Sequence, residues 1–329
     1  MVCLRILVMT ASVTILAGLV FCGCRGDGYR DGVTSPLNPA EFSFWERTDA
    51  PSGNDFRSFL FDGQEFLFSS SSKGGVFRSV DRGKSWGKMS VGLTSSFVYP
   101  LARNSLGALY AGTNGEGIFS STNHGVSWIG SGLVGISVVS LLALPAGYLL
   151  AGTAGNGVFR SDDDGATWVS VGLFGKNVLS LGYTSNGTVL AGVNQEGVFL
   201  SDNNGTEWSQ AGLSNVSVRQ FATAPNSHIF AASSTGVFIS TNNGSTWSTV
   251  NAGLERATVW TVTVSSTGQV FAGAKEGAFQ WNAASSRWLV INDGLASSYV
   301  RTLTVTPDGY LLAGTNGGGI YRSVLPTLN

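Results

Sequence analysis

Arg57, Arg219 and Arg301 fall at one point of a pattern that recurs along the chain, and Tyr99 and Trp260 stand at the equivalent point of two other copies. The full column reads Arg57, Tyr99, Val139, Leu179, Arg219, Trp260 and Arg301. Guanidinium groups form forked, charge-assisted hydrogen bonds to carboxylates and sulfates, so a cluster of three suits an anionic ligand. If the copies close into a ring, Arg219, Trp260, Arg301, Arg57 and Tyr99 lie on consecutive units. They would form a cationic and aromatic arc facing an apolar side made by Val139 and Leu179. Such an arc suits a protein segment or an anionic glycan.

Catalysis is harder to assemble from these residues. Glycoside hydrolysis needs two carboxylates flanking the bond to be broken. The nearest acids, Glu116, Glu196 and Glu276, fall at loop tips, where a solvated side chain is the simpler reading. The loops are short throughout, which leaves no insertion to build a deep pocket. Asp162, Asp163 and Asp164 could ligate Ca²⁺, but a solvated turn accounts for them more simply. There are only two histidines, His124 and His228, too few for a histidine-rich metal site, and no cofactor is expected. The three cysteines all lie within the first 24 residues, so the rest of the chain carries neither disulfide nor thiolate chemistry. A net charge of −1 without a basic run gives no footprint for nucleic acid.

These residues must be positioned by many short strands. The 329 residues are 43% hydrophobic and only 12% charged, with 45 glycines, which suits a packed body with tight turns. The block Leu109 to Trp128 recurs at Leu149 to Trp168 and at Val189 to Trp208, and weaker copies end at Trp86, Trp247 and Trp288. Successive tryptophans are 42, 40, 40, 39 and 41 residues apart. A seventh copy, Leu311 to Ser323, stops before its tryptophan. Within one unit, residues 138–142, 149–153, 157–160 and 168–171 read as four antiparallel strands. Four strands per forty residues is a propeller blade. Phe44-Trp45-Glu46-Arg47 aligns with the strand that begins at Trp86. It is therefore expected to complete the last blade and close a seven-bladed β-propeller over residues 43–329, which leaves no open sheet edge inside the ring.

Ser79 to Trp86 and Ser161 to Trp168 resemble the Asp-box, S-x-D-x-G-x-x-W, also known as the BNR repeat. Three further copies carry Asn at the Asp position. The residues of these boxes are Asp81, Gly83 and Trp86; Asn123 and Trp128; Asp163 and Trp168; Asn203 and Trp208; Asn242 and Trp247. A sixth, Trp281 to Trp288, keeps only the tryptophan. The Asp or Asn accepts backbone N–H groups in a tight turn, the glycine supplies a positive φ, and the tryptophan covers the turn. The resemblance implies boxes between the third and fourth strands, on the face away from the ligand site, with a structural role. Arg78, Arg160 and Arg322 share a column beside the box and read as outer-surface residues.

Asp-box propellers include sialidases, other glycoside hydrolases, sortilin-type receptors and photosystem II assembly factors, so fold alone decides nothing about activity. Three arginines invite comparison with a sialidase carboxylate clamp, but no inner-strand aspartate and no Tyr–Glu pair accompany them. The reading is a non-catalytic, monomeric binding propeller for a protein or glycan. A sialidase-like or other glycoside hydrolase and a photosystem II assembly-factor-like protein are the alternatives.

The N-terminus reads as an address. Arg5 precedes an uncharged stretch, Ile6 to Gly23, and Phe21-Cys22-Gly23-Cys24 resembles a bacterial lipobox. Residues 1–23 are expected to be a lipoprotein-type signal peptide, Cys24 the lipidation site, and residues 24–42 a flexible tether rich in Gly, Asp and Pro. The expectation is an exported protein, held at the membrane by a lipid or secreted.

Overall fold

The computed structural model describes residues 43–327, except 64, 255 and 256. The expected signal peptide, lipidation site at Cys24 and tether lie outside the described residues.

The described chain forms seven four-stranded antiparallel sheets arranged as the blades of a ring, and it contains no helix. The inner strands are Phe56–Phe61, Val98–Arg103, Val138–Ala143, Val178–Tyr183, Val218–Thr223, Val259–Val264 and Val300–Val305. In blade 3 the four strands are Val138–Ala143, Leu149–Thr153, Val158–Ser161 and Val169–Gly172, each within a residue of the expected bounds. The second strand of every blade is buried along all five residues, because both of its faces pack against neighbouring blades. That double burial explains the small residues at its centre, as in Leu-Leu-Ala-Gly-Thr. A Cβ on Gly152 would approach Ser140 Oγ to 2.2 Å and Val178 Cγ1 to 2.8 Å.

The ring closes as the sequence implies. Trp45–Arg47 pairs antiparallel with Ile320–Ser323, so the N-terminal segment is the outer strand of blade 7. Trp45 is 1% exposed and its indole N–H donates to Ile291 O at 2.5 Å, which ties the closing strand to blade 6 as well.

The five turns of the form Ser-x-Asp/Asn-x-Gly-x-x-Trp share one geometry. In blade 3, Asp163 Oδ1 accepts Thr167 N at 2.8 Å, while Ser161 Oγ accepts Gly165 N at 2.8 Å. Asp81, Asn123, Asn203 and Asn242 accept the matching backbone N–H in their blades. The glycines take a positive φ, and so do the residues before them: Arg82, His124, Asp164, Asn204 and Asn243 lie between 54° and 61°. Each turn also joins two blades. A Cβ on Gly244 would meet Leu190 Cδ2 of the preceding blade at 2.7 Å. Trp128 and Trp168 donate their indole N–H to Met89 O and Ser131 O, again in the preceding blade. Trp86 and Trp208 instead donate within their own turns, to Gly83 O and Gly205 O. The Trp247 indole N–H is buried without a hydrogen-bond partner among the described residues.

Blade 6, whose copy has lost Ser, Asp and Gly, replaces the turn with a longer hairpin. Its outer strands, Gly277–Asn282 and Arg287–Val290, pair Trp281 with Trp288, whose rings meet edge-on at 5.4 Å.

The expectation that Arg78, Arg160 and Arg322 lie on the outer surface is corrected. Arg322 is only 5% exposed, and its guanidinium lies 3.3 Å from the centroid of Tyr310. Arg78 and Arg160 stack likewise on Phe66 and Tyr148, each at 4.7 Å. An aromatic immediately before the second strand of blades 1, 3 and 7 gives the arginine a face to cover. The long methylene stem is thereby buried while the charge is kept.

Candidate functional site

The column read from the sequence is a structural feature of every inner strand. In all seven blades the register shifts by a β-bulge just after the first strand residue. Arg57, Val139, Leu179, Arg219, Trp260 and Arg301 are each the single residue skipped by the pairing, and Tyr99 is skipped together with Pro100. A bulge bends its strand and re-aims a side chain. Seven of them in register place all seven side chains around one cavity of about 540 Å³ at the mouth of the ring. Its remaining wall is mixed: Phe59, Leu101, Leu141, Leu181, Phe221 and Leu303 alternate with polar residues such as Ser58, Ser140, Ser180, Gln220 and Thr302. The cavity is lined by residues of the inner strands, so short loops do not prevent it.

This mouth and the Ser-x-Asp/Asn turns are on opposite faces. In blade 1, Phe56 pairs with Ser71 and Ser71 with Gly75 at the mouth edge. Phe61 pairs with Leu67 and Leu67 with Ser79, where the turn begins, at the other edge. By the same reasoning Glu116, Glu196 and Glu276 belong to the mouth face. They lie in its outer turns, where Glu196 is ion-paired with Lys176, and none of them lines the cavity.

The arginines and aromatics engage one another. The Arg219 and Arg301 guanidiniums lie 4.0 and 3.9 Å from the Trp260 ring centroid. The Arg57 guanidinium lies 5.3 Å from that of Tyr99. Two residues missed in the sequence complete the arc, both two positions before a column arginine. Asp55, whose side chain is 9% exposed, is ion-paired with Arg57 and stands 3.4 Å from Arg301 Nε. Tyr299 accepts a hydrogen bond from Arg301 at 2.9 Å, and its ring lies 5.8 Å from Trp260.

Two of the three guanidiniums, those of Arg57 and Arg301, thus share one carboxylate in a partly dry site. Burial pushes the Arg57 pKa down, repulsion from Arg301 adds to this, and Asp55 opposes it. Burial followed by Arg301 lowers Arg219 likewise. Arginine keeps its proton through such shifts, so the direction reports strain on a retained charge. Arg57 Nε, Arg219 Nε and Trp260 Nε1 are buried and make no hydrogen bond among the described residues. Buried donors without partners cost folding energy, and a ligand that supplied an acceptor would relieve that cost.

The adjacent aspartates do not converge on an ion. Asp162 pairs with Arg160 at 2.6 Å, Asp163 accepts Thr167 and Ser161, and Asp164 accepts Asn104 at 2.9 Å. No group of three His, Cys, Asp or Glu suited to a metal occurs among the described residues.

No family model matches the chain, and no curated protein sequence matches it significantly. Many solved structures share its fold. One is the extracellular domain assigned to a one-component system of B. thetaiotaomicron, with a TM-score of 0.73 at 15% identity over 86% of this chain. The chain spans 40% of that domain's length. YCF48 bound to D1 peptide matches with a TM-score of 0.70 at 14% identity, over 87% of this chain and 98% of its own. A GH74 xyloglucanase from Xanthomonas campestris matches with a TM-score of 0.67 at 16% identity, over 84% of this chain and 53% of its own. At these identities the likeness is one of fold alone, a seven-bladed β-propeller.

Proposed function

We propose that this protein is a non-catalytic binding propeller whose mouth captures an anionic group of a protein or glycan ligand. One observation carries the reading. Arg57, Arg219 and Arg301 converge on one cavity with a single carboxylate among them and with buried Nε donors that make no hydrogen bond among the described residues. Separated in sequence, they are brought together by equivalent bulges, which makes the cluster a property of the ring. A propeller with a bound peptide and the extracellular domain of a bacterial sensor share this fold, which fits a binding role outside the cytoplasm.

Under this reading residues 1–23 are a lipoprotein-type signal peptide, Cys24 is lipidated, and residues 24–42 tether a monomeric propeller to the cell envelope. The five Ser-x-Asp/Asn-x-Gly-x-x-Trp turns are Asp-boxes that join neighbouring blades.

A glycoside hydrolase remains the alternative, since a xyloglucanase shares the fold. It is disfavoured because no Asp or Glu is among the residues lining the cavity, and a hydrolase needs two carboxylates about 5–10 Å apart. An assembly-factor-like role would use the same arginine arc and differ in the partner captured.

The test is a screen of glycans and envelope proteins with the wild-type protein and an Arg57→Ala/Arg219→Ala/Arg301→Ala variant, alongside a glycosidase substrate panel. The reading predicts capture that the triple variant loses, and no turnover. Capture that survives the triple variant, or hydrolysis of any substrate on the panel, refutes it.

A further inference from the structure

The arc is not uniformly charged. Arg57 and Arg301 both reach Asp55, whereas Arg219 has no ion-pair partner among the described residues. The unmatched charge is therefore centred on Arg219, beside the Trp260 indole, and both groups carry a buried donor that makes no hydrogen bond there. Asp55 offsets part of the charge of Arg57 and Arg301, so Arg219 is the arginine of the arc left without a counter-charge among the described residues.

What adjoins Arg219 is apolar. The next bulge positions around the ring are Leu179 and Val139. The connections leading into those two inner strands begin after Ile129–Gly130 and Val169–Gly172, so they cross the mouth face. They carry Val134 and Phe174, which are 80% and 72% exposed. Neither lines the cavity, so the apolar surface nearest Arg219 is the wall formed by Leu179 and Val139. The aromatics do not offer the open stacking platform that a sugar ring uses, because Trp260, Tyr99 and Tyr299 each already carry a guanidinium.

We propose that the mouth takes the C-terminal carboxylate of a peptide whose last residue is apolar. The carboxylate is held by Arg219, and the terminal side chain rests against Leu179 and Val139. A chain end is the peptide group that puts a full negative charge one carbon away from a side chain, which matches a cation and an apolar wall on neighbouring blades. The inference rests on the binding reading above and narrows its ligand class.

The test uses an acetylated six-residue peptide of Gly, Ser and Ala ending in leucine with a free carboxylate. Its companions are the same peptide amidated, one ending in serine, and an amidated one with an internal glutamate. Binding is read as Kd by calorimetry and as the shift of the Trp260 indole N–H resonance. Loss of the charge or of the apolar contact is each expected to weaken binding about tenfold, the equivalent of one charge-assisted hydrogen bond or one buried leucine. Arg219→Ala removes the preference for the free acid, and Leu179→Ser makes the leucine and serine peptides equivalent. Arg219→Lys, which keeps the charge and loses the fork, is expected to retain part of that preference and guards against misfolding of the alanine variant. Equal binding of the amidated leucine peptide, or of the internal glutamate peptide, overturns the inference while leaving the arginine-dependent site intact. So does glycan capture by the arginines with no peptide bound. If capture of every ligand ignores the arginines, the wider reading falls with it.

Discussion

Truncating Trp45 to alanine tests how the ring is closed. The closing strand is three residues long, and Trp45 is its largest buried side chain. Trp45 is 1% exposed, packs edge-on to Phe44 at 5.1 Å, and belongs to a buried cluster with Phe271, Val300, Leu303 and Tyr321. Its backbone N–H donates to Asp293 O at 3.0 Å and its indole N–H to Ile291 O. Removing a buried tryptophan costs about 3–5 kcal/mol. Trp45→Phe keeps most of the packing and loses the indole hydrogen bond, so about 1–2 kcal/mol is expected. Equilibrium unfolding in urea, followed by circular dichroism, measures both. A Trp45→Ala loss below about 1 kcal/mol, the scale of an ordinary surface substitution, would refute the account, because the strand would then not be a structural part of blade 7.

Acid unfolding should depend on the two turns that carry aspartate. Hydrogen bonds from Thr167 and Ser161 hold Asp163 at about 2 against 3.8 for the free side chain. In Asp81 burial acts to raise the value, but hydrogen bonds from Ser85 and Ser79 outweigh it and the net shift is downward. A depressed folded-state pKa gives stability that is complete above about pH 4 and lost as pH falls towards 2. An Asp81→Asn/Asp163→Asn variant, which copies the turns at Asn123 and Asn242, should therefore show a shallower acid limb, whereas an unchanged limb would contradict the assignment. Gly244→Ala should destabilise by on the order of 2 kcal/mol, since a side chain at φ 86° is strained and its Cβ would press on Leu190; thermal melting checks it. Capture by the mouth should weaken as salt rises from 0.05 to 0.5 M, on the order of the change expected when a partly exposed charge pair is screened, and a salt-independent Kd would argue against an electrostatic site.

The repeating parts of the molecule were the legible ones. A strand that must pack on both faces repeats its small residues, and a turn that needs a side-chain acceptor and a positive φ repeats its Asp or Asn and its glycine. Aligning such units located the ring, its closure by the Trp45 segment, and the column around the mouth. What escaped was specific to single blades or to pairs of them. Asp55 and Tyr299 occupy a second column that otherwise holds Phe97, Ser137, Asn177, Ser217 and Thr258, so no pattern singles them out. Their roles arise from contacts between particular blades: Asp55 of blade 1 reaches Arg301 of blade 7, and Tyr299 of blade 7 reaches Trp260 of blade 6. Arg322 looked like a surface residue because its partner, Tyr310, lies twelve residues earlier on the facing strand. The bulge itself has no sequence mark beyond the column it displays.

The most direct measurement of the central claim is the indole region of the NMR spectrum during titration with a ligand found by the screen. Trp260 is at the mouth, whereas Trp86, Trp128 and Trp168 cover the turns on the other face. A shift of the Trp260 indole and of the Arg57 and Arg219 Nε–H signals, with the other three indoles unmoved, is the predicted result. Movement of those three with Trp260 unchanged would place binding on the opposite face and contradict the account.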